Sequence, residues 1–199
     1  MKLERFTILD SSLTAIIYTA GIIGIRFLPD FFLKTSFISI LIPLSLYLFR
    51  VKPKGKDILL ILSVYSIGFF AEWIGVRFGW LFGSYKYGDS LGIKLDGVPL
   101  IIGANWLLLS LVSREVISKL LNNKILIIIL SSILMVLIDF LIEPISDNLN
   151  FWIWENNIIP YSNYLDWFLI ALLNQTLFSF LGYKKDMFHW SLIYITILV

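Results

Sequence analysis

The chain has 199 residues, 58% of them apolar, 16% aromatic and 15% charged, and its mean hydropathy of +0.86 is too high for a water-soluble domain of this length. The formal net charge is only +2, and Lys and Arg gather in short loops rather than in a patch, so no nucleic-acid partner is expected. There is no cysteine, which excludes disulfides, thiolate metal sites and cysteine nucleophiles.

Apolar runs of near-spanning length occur at roughly 8–25, 31–49, 58–79, 98–113, 124–142 and 162–182, with a shorter final run at 187–199. They predict an all-α, polytopic membrane helix bundle of about seven transmembrane helices, forming a single domain over 1–199. Met1 to Gly24 carries Lys2 and Arg5 ahead of its apolar stretch but has no small-residue cleavage signature, so it reads as a retained first helix. Breakers fall between the runs: Pro29-Asp30, Lys52-Pro53-Lys54-Gly55-Lys56, the glycine-rich stretch Gly79 to Gly97, Asn122-Asn123, and Pro144 through Pro160.

The basic residues set an orientation. If the Lys52 to Lys56 loop is cytoplasmic, so are the amino terminus, an Arg114 to Lys124 loop and the Lys184-Lys185 turn, and this face holds 11 of the 16 basic residues. The amino terminus is then inside, in a multi-pass protein of the cytoplasmic membrane whose surroundings are membrane lipid. In this topology Glu72, Asn105, Asp139, Glu143, Asn163 and Trp167 all converge on the outer leaflet.

Three of these are carboxylates at membrane depth. An ionisable group there costs about 2.5–3.5 kcal/mol on insertion scales, which makes each one a functional candidate. In the third run Gly68, Glu72, Gly75 and Gly79 share one helical face; the glycines suit close helix packing, which leaves Glu72 unexplained. An acid walled by apolar side chains suits proton donation. Asp139 and Glu143 stand four apart, on one face and about 6 Å from each other. Two such acids repel when both ionise, so one tends to hold a proton while the other stays anionic, a division suited to acid–base work. No aspartate-rich repeat of the kind that holds magnesium is present, and no metal is expected. The lone His189 reads as interfacial. The aromatic segments Trp80 to Tyr87 and Phe151 to Trp154 suit an interfacial belt. Aromatic faces also stabilise a cation by about 0.5–2 kcal/mol each, as a reaction through a carbocation would need.

The strings Glu72-Trp73-Ile74-Gly75-Val76, Gly79-Trp80-Leu81-Phe82-Gly83-Ser84-Tyr85-Lys86-Tyr87, Gly97-Val98-Pro99-Leu100 and Asn105-Trp106 resemble the integral-membrane carotenoid biosynthesis hydratases. So do Asp139 with Glu143-Pro144, Trp152-Ile153-Trp154, and Pro160 with Asn163-Tyr164 and Trp167. The match covers most of 70–170, and elsewhere the likeness is one of hydropathy only. Two positions depart from the pattern: Glu143 stands where an aspartate is common, and Asp166 where a small residue is expected.

The resemblance implies addition of water across the terminal C1=C2 double bond of an acyclic carotenoid end group, giving a tertiary alcohol without a cofactor. It implies Glu72, Asp139 and Glu143 as catalytic groups and Tyr85, Tyr87, Asn105, Trp106, Trp154, Asn163 and Trp167 as substrate-binding groups. The partners implied are the carotenoid, water and other carotenoid-pathway enzymes. The same protonation with internal capture of the cation would make an end-group cyclase. Intramembrane acids also serve small transporters or lipophile-binding proteins, although no inverted repeat is present here.

Overall fold

The computed structural model describes residues 2–199, with side chains from residue 7 onward. Met1 and the side chains of Lys2 and Arg5, which contribute to the orientation argument, lie outside the described residues. The helices are α1 (Lys2–Phe27), α2 (Pro29–Lys34), α3 (Ile38–Val51), α4 (Lys56–Phe78), α5 (Ile101–Leu120), α6 (Lys124–Ser146), α7 (Tyr161–Phe180) and α8 (Phe188–Leu198). Four short strands, β1 (Tyr85–Tyr87), β2 (Lys94–Leu95), β3 (Val98–Pro99) and β4 (Trp152–Trp154), form two antiparallel ribbons, β1 with β4 and β2 with β3.

Among the described residues, α1 from Thr7, α4, α5 and α6 are the helices both long and apolar enough to cross a membrane. α7 has 20 residues, but Asn163, Asp166, Asn174 and Gln175 dilute its apolar run. α3 and α8 are apolar yet have 14 and 11 residues, about 21 and 17 Å of helix at 1.5 Å per residue against a hydrocarbon core of about 30 Å. The expected second run, 31–49, is broken into α2 and α3 by a turn at residues 35–37. There the Thr35 and Ser36 hydroxyls both donate to the Phe32 carbonyl, at 3.2 and 3.1 Å, competing with continued helical pairing.

α5 lies at the centre, packed by α3, α4, α6, α7 and α8. It also runs further than its hydropathy suggests: the helix continues to Leu120, through the Arg114-Glu115 pair expected in a loop. Both charges are buried because the bundle supplies their partners. Arg114 donates to the Gln175 carbonyl at 3.3 Å and to Ser179 Oγ at 3.0 Å. Glu115 accepts from Tyr47 Oη at 3.0 Å and from the Met187 amide at 3.1 Å. α6 starts sharply, its Asn123 side chain accepting from the amides of Ile125 and Leu126 at 2.9 and 3.2 Å, a cap worth about 1 kcal/mol.

Two apolar cores fill the bundle. One, around Tyr47, Leu60, Leu108, Phe178, Trp190 and Tyr194, surrounds the Arg114-Glu115 end of α5. The other, around Phe69, Phe82, Ile102, Trp106, Ile138 and Trp167, surrounds its amino-terminal end and is roofed by the β1–β4 ribbon.

Candidate active site

The ribbon joins two aromatic segments far apart in sequence, with Tyr85 opposite Trp154 and Tyr87 opposite Trp152. Side chains two apart on a strand share a face. The pair Tyr85 and Tyr87 therefore reaches one carboxylate, and the pair Trp152 and Trp154 reaches another. Glu72 Oε2 accepts from Tyr85 Oη at 2.5 Å and Tyr87 Oη at 2.7 Å, while Oε1 accepts from Trp106 Nε1 at 2.9 Å. Glu143 Oε2 accepts from Trp152 Nε1 at 3.0 Å and Trp154 Nε1 at 2.7 Å, while Oε1 accepts from Asn163 Nδ2 at 3.0 Å. The same Asn163 nitrogen donates to Asp139 Oδ2 at 3.1 Å. All three carboxylates are nearly inaccessible, at 4%, 2% and 4% exposure for Glu72, Asp139 and Glu143.

The glycines beside Glu72 make this contact set fit. A methyl at Gly68 would collide with the Trp106 ring, and one at Gly75 would stand 3.0 Å from Tyr85 Oη. Both are donors to Glu72. The face that reads as packing thus also clears space for the hydrogen-bonding groups of the acid. Burial, and then the neighbouring Glu72 carboxylate, hold the Tyr85 and Tyr87 hydroxyls well above the usual tyrosine range, so both remain donors at neutral pH.

One cavity of about 30 Å³ is lined by Glu72, Tyr85, Tyr87, Asn105, Trp106, Asp139, Glu143, Trp154, Asn163 and Trp167. These ten are the residues named from the sequence and its resemblance as catalytic or substrate-binding candidates, and they line one cavity. The volume exceeds the roughly 10–15 Å³ needed for one water and falls far below the roughly 300–1,000 Å³ of a small-molecule pocket. Trp106 and Trp167 stack at the back with ring centroids 3.9 Å apart, and Phe82 closes on both. Outside the ribbon an open groove of about 370 Å³, with Ser84, Lys86, Ile153 and Glu155 on its walls, shares Tyr85 and Trp154 with the cavity.

Sequence reasoning did not assign Trp152, Phe82 or Asp166 to the site. Trp152 was legible in the alternation Trp152-Ile153-Trp154, which is a strand period. Asp166 anchors the loop before β1: its Oδ2 accepts the Phe82 amide at 2.7 Å, at a residue with φ of 64°. The departure at this position is thus tied to a specific bond. Lys94 holds the other end of the strand, donating to the Tyr87 carbonyl at 2.9 Å and to Asp89 at 2.7 Å.

Fold and site together define a helix bundle with, among the described residues, four membrane-length apolar helices and a carboxylate cavity roofed by aromatic donors. The family model described as carotenoid biosynthesis protein matches residues 33–194, and the chain belongs to that family. It is 30% identical over 199 aligned positions to the bisanhydrobacterioruberin hydratase of Haloarcula japonica, an alignment covering 89% of this chain and 65% of that relative. The chain therefore spans a little under two thirds of the length of the curated relative it matches. No solved structure matches it.

Proposed function

We propose that the protein is a multi-pass enzyme of the cytoplasmic membrane that adds water across the terminal C1=C2 double bond of an acyclic carotenoid end group, forming a tertiary alcohol. The observation that carries this reading is the small cavity in which three carboxylates face stacked aromatics. Hydration of a trisubstituted alkene needs an acid for C2, a wall that tolerates positive charge at C1, and a held water. Glu72, Asp139 and Glu143 are the catalytic candidates, with Glu143 orienting the attacking water. Trp106, Trp154 and Trp167 face the cation, Asn105 and Asn163 hold polar atoms, and Tyr85 and Tyr87 fix Glu72. The steps call on no redox cofactor. The name of the Haloarcula relative supports the same reaction class.

Admission of an end group requires the walls to part, since the cavity holds only water-sized space. The groove outside the ribbon supplies a polar approach for water, leaving the apolar chain to come from the lipid. The topology proposed with this function has seven spans in a single domain: α2 with α3 as a broken second span, α8 as the last, and the amino terminus inside. Association with other enzymes of the same pathway would suit a substrate confined to the bilayer.

Expression in a lycopene-producing bacterium, followed by mass analysis of the pigments, tests the reaction. A product heavier by one water is expected. A cyclised isomer of unchanged mass would replace this reading with that of a cyclase, and unchanged pigment would remove acyclic lycopene ends from its substrates.

A further inference from the structure

The three carboxylates are not equivalent. Both oxygens of Glu72 and both oxygens of Glu143 are taken up by donors, three to each group. Indole N–H groups only donate, so Glu143 Oε2, which accepts from two of them, has no place for a proton, and with three donors on about four acceptor sites the charged form of Glu72 and of Glu143 is favoured over that of Asp139. The tyrosine bonds to Glu72, at 2.5 and 2.7 Å, lie in the range of a hydroxyl donating to a charged oxygen. Asp139 differs: Oδ2 accepts from Asn163 alone, and Oδ1 has no partner among the described residues. Among the described residues, those lining the cavity include no Lys, Arg or His.

We propose that Glu72 and Glu143 form a fixed anionic cradle, that Asp139 alone carries the transferable proton on Oδ1, and that the cavity is in consequence a receptor for a compact cationic head on a long apolar chain. The mechanistic half of this rests on the hydratase reading; the ligand class does not. In the reaction the Asp139 O–H bond breaks as the alkene π pair forms a C–H bond at C2, leaving positive charge at C1 between two carboxylates and the Trp106–Trp167 stack. A lone pair of water forms the C–O bond, and the surplus proton on that oxygen passes to the Asp139 carboxylate. The starting state returns with nothing else consumed.

A stable ligand that copies the charged intermediate should bind more tightly than a neutral one of the same shape. The probe is an isoprenoid chain ending in trimethylammonium, and its control is the same chain ending in tert-butyl, which matches it in shape and lacks the charge. Binding to the full chain in nanodiscs of zwitterionic lipid is followed by tryptophan fluorescence. The cation is expected to bind at least about tenfold more tightly than the control. Glu72→Gln and Glu143→Gln, checked for helicity, should each lose most of that preference, while Asp139→Asn keeps it. Equal binding of probe and control by the wild-type protein overturns the cradle whatever the variants do. A preference lost in Asp139→Asn but kept in both Gln variants overturns the assignment of charges. Hydration without cation preference would leave the proposed reaction standing and remove the cradle, whereas cation preference in a chain that hydrates no acyclic carotenoid would do the reverse.

Discussion

The two ends of α5 bury polar groups in opposite ways. At the far end Arg114 and Glu115 bring opposite charges side by side, and each is bonded to groups of neighbouring elements: Gln175 and Ser179 from α7, Tyr47 from α3, the Met187 amide before α8. At the near end three carboxylates meet only neutral donors, with no basic side chain on the cavity wall among the described residues. Compensated charge locked into packing joins helices. Acids buried without a counter-charge are poorly justified as fasteners, since an ionisable group taken out of water with no opposite charge beside it costs several kcal/mol. The contrast sets a polar cluster whose bonds join helices against one that lines a cavity and is proposed to do chemistry.

The sharpest way to break that contrast is to substitute once at each end. Asp139→Asn keeps shape and removes the proton, so hydration per folded enzyme should fall by about 10²–10⁴-fold with thermal stability nearly unchanged. Glu115→Leu strips Tyr47 and Met187 of their acceptor and leaves Arg114 without a neighbouring opposite charge, so the loss should appear as about 3 kcal/mol of stability, with near-normal turnover in whatever folds. Product formation against folded protein, read beside melting temperature, decides. The reverse pattern would exchange the roles of the two clusters.

A smaller effect is expected at Glu143. Glu143→Gln retains a hydrogen-bonding side chain while losing the charge proposed to orient water, and hydration should slow by about tenfold. Part of the cation should then return to alkene by proton loss, so the ratio of double-bond isomers to alcohol in the extracted pigment is the measurement. An unchanged ratio would take Glu143 out of water capture.

Much of this site was legible in the sequence because its signals are local. Acids in apolar runs are costly wherever the helix lies, and the spacing of Asp139 and Glu143 fixes their common face. The roof was not legible, because β1 and β4 are three residues each and pair across more than sixty positions, which no hydropathy window registers. Arg114 and Glu115 misled for the opposite reason. Charge near the end of an apolar run ordinarily marks a loop, and only the side chains of Tyr47, Gln175 and Ser179, brought in by other helices, make it a helix interior. The break at residues 35–37 does have a local signal, the polar triplet Lys34-Thr35-Ser36, but three residues are too few to lower the hydropathy averaged over the 31–49 run.

Asp166 sharpens the comparison at the level of support. It touches no cavity atom, yet it fixes the Phe82 amide, and Phe82 packs on Trp106 and Trp167. Asp166→Ala should lower turnover a few-fold, by loosening the loop that leads into β1, and Asp166→Asn, which still offers an acceptor oxygen, should restore most of it. Equal loss in both variants would mean that its charge matters and the bond to Phe82 does not.

The smallest effect concerns the ribbon under alkali. Tyr85 and Tyr87 hydroxyls sit well above the ordinary value of 10.0 in the folded chain, chiefly through burial. An acid that ionises later in the folded than in the unfolded state contributes its full stability below the unfolded value, and that contribution is lost as pH rises beyond it. Between pH 7 and about 9 the two phenols should therefore leave stability unchanged. Above about 10 the unfolded chain can release both protons and the folded chain cannot, so these two phenols should add up to two protons to the slope with which stability declines. Tyr85→Phe reduces that slope by one proton and withdraws one donor from Glu72. Comparing unfolding of the two proteins from pH 9 to 11 measures the difference, and identical slopes would mean that the Tyr85 hydroxyl is not held neutral against the Glu72 carboxylate.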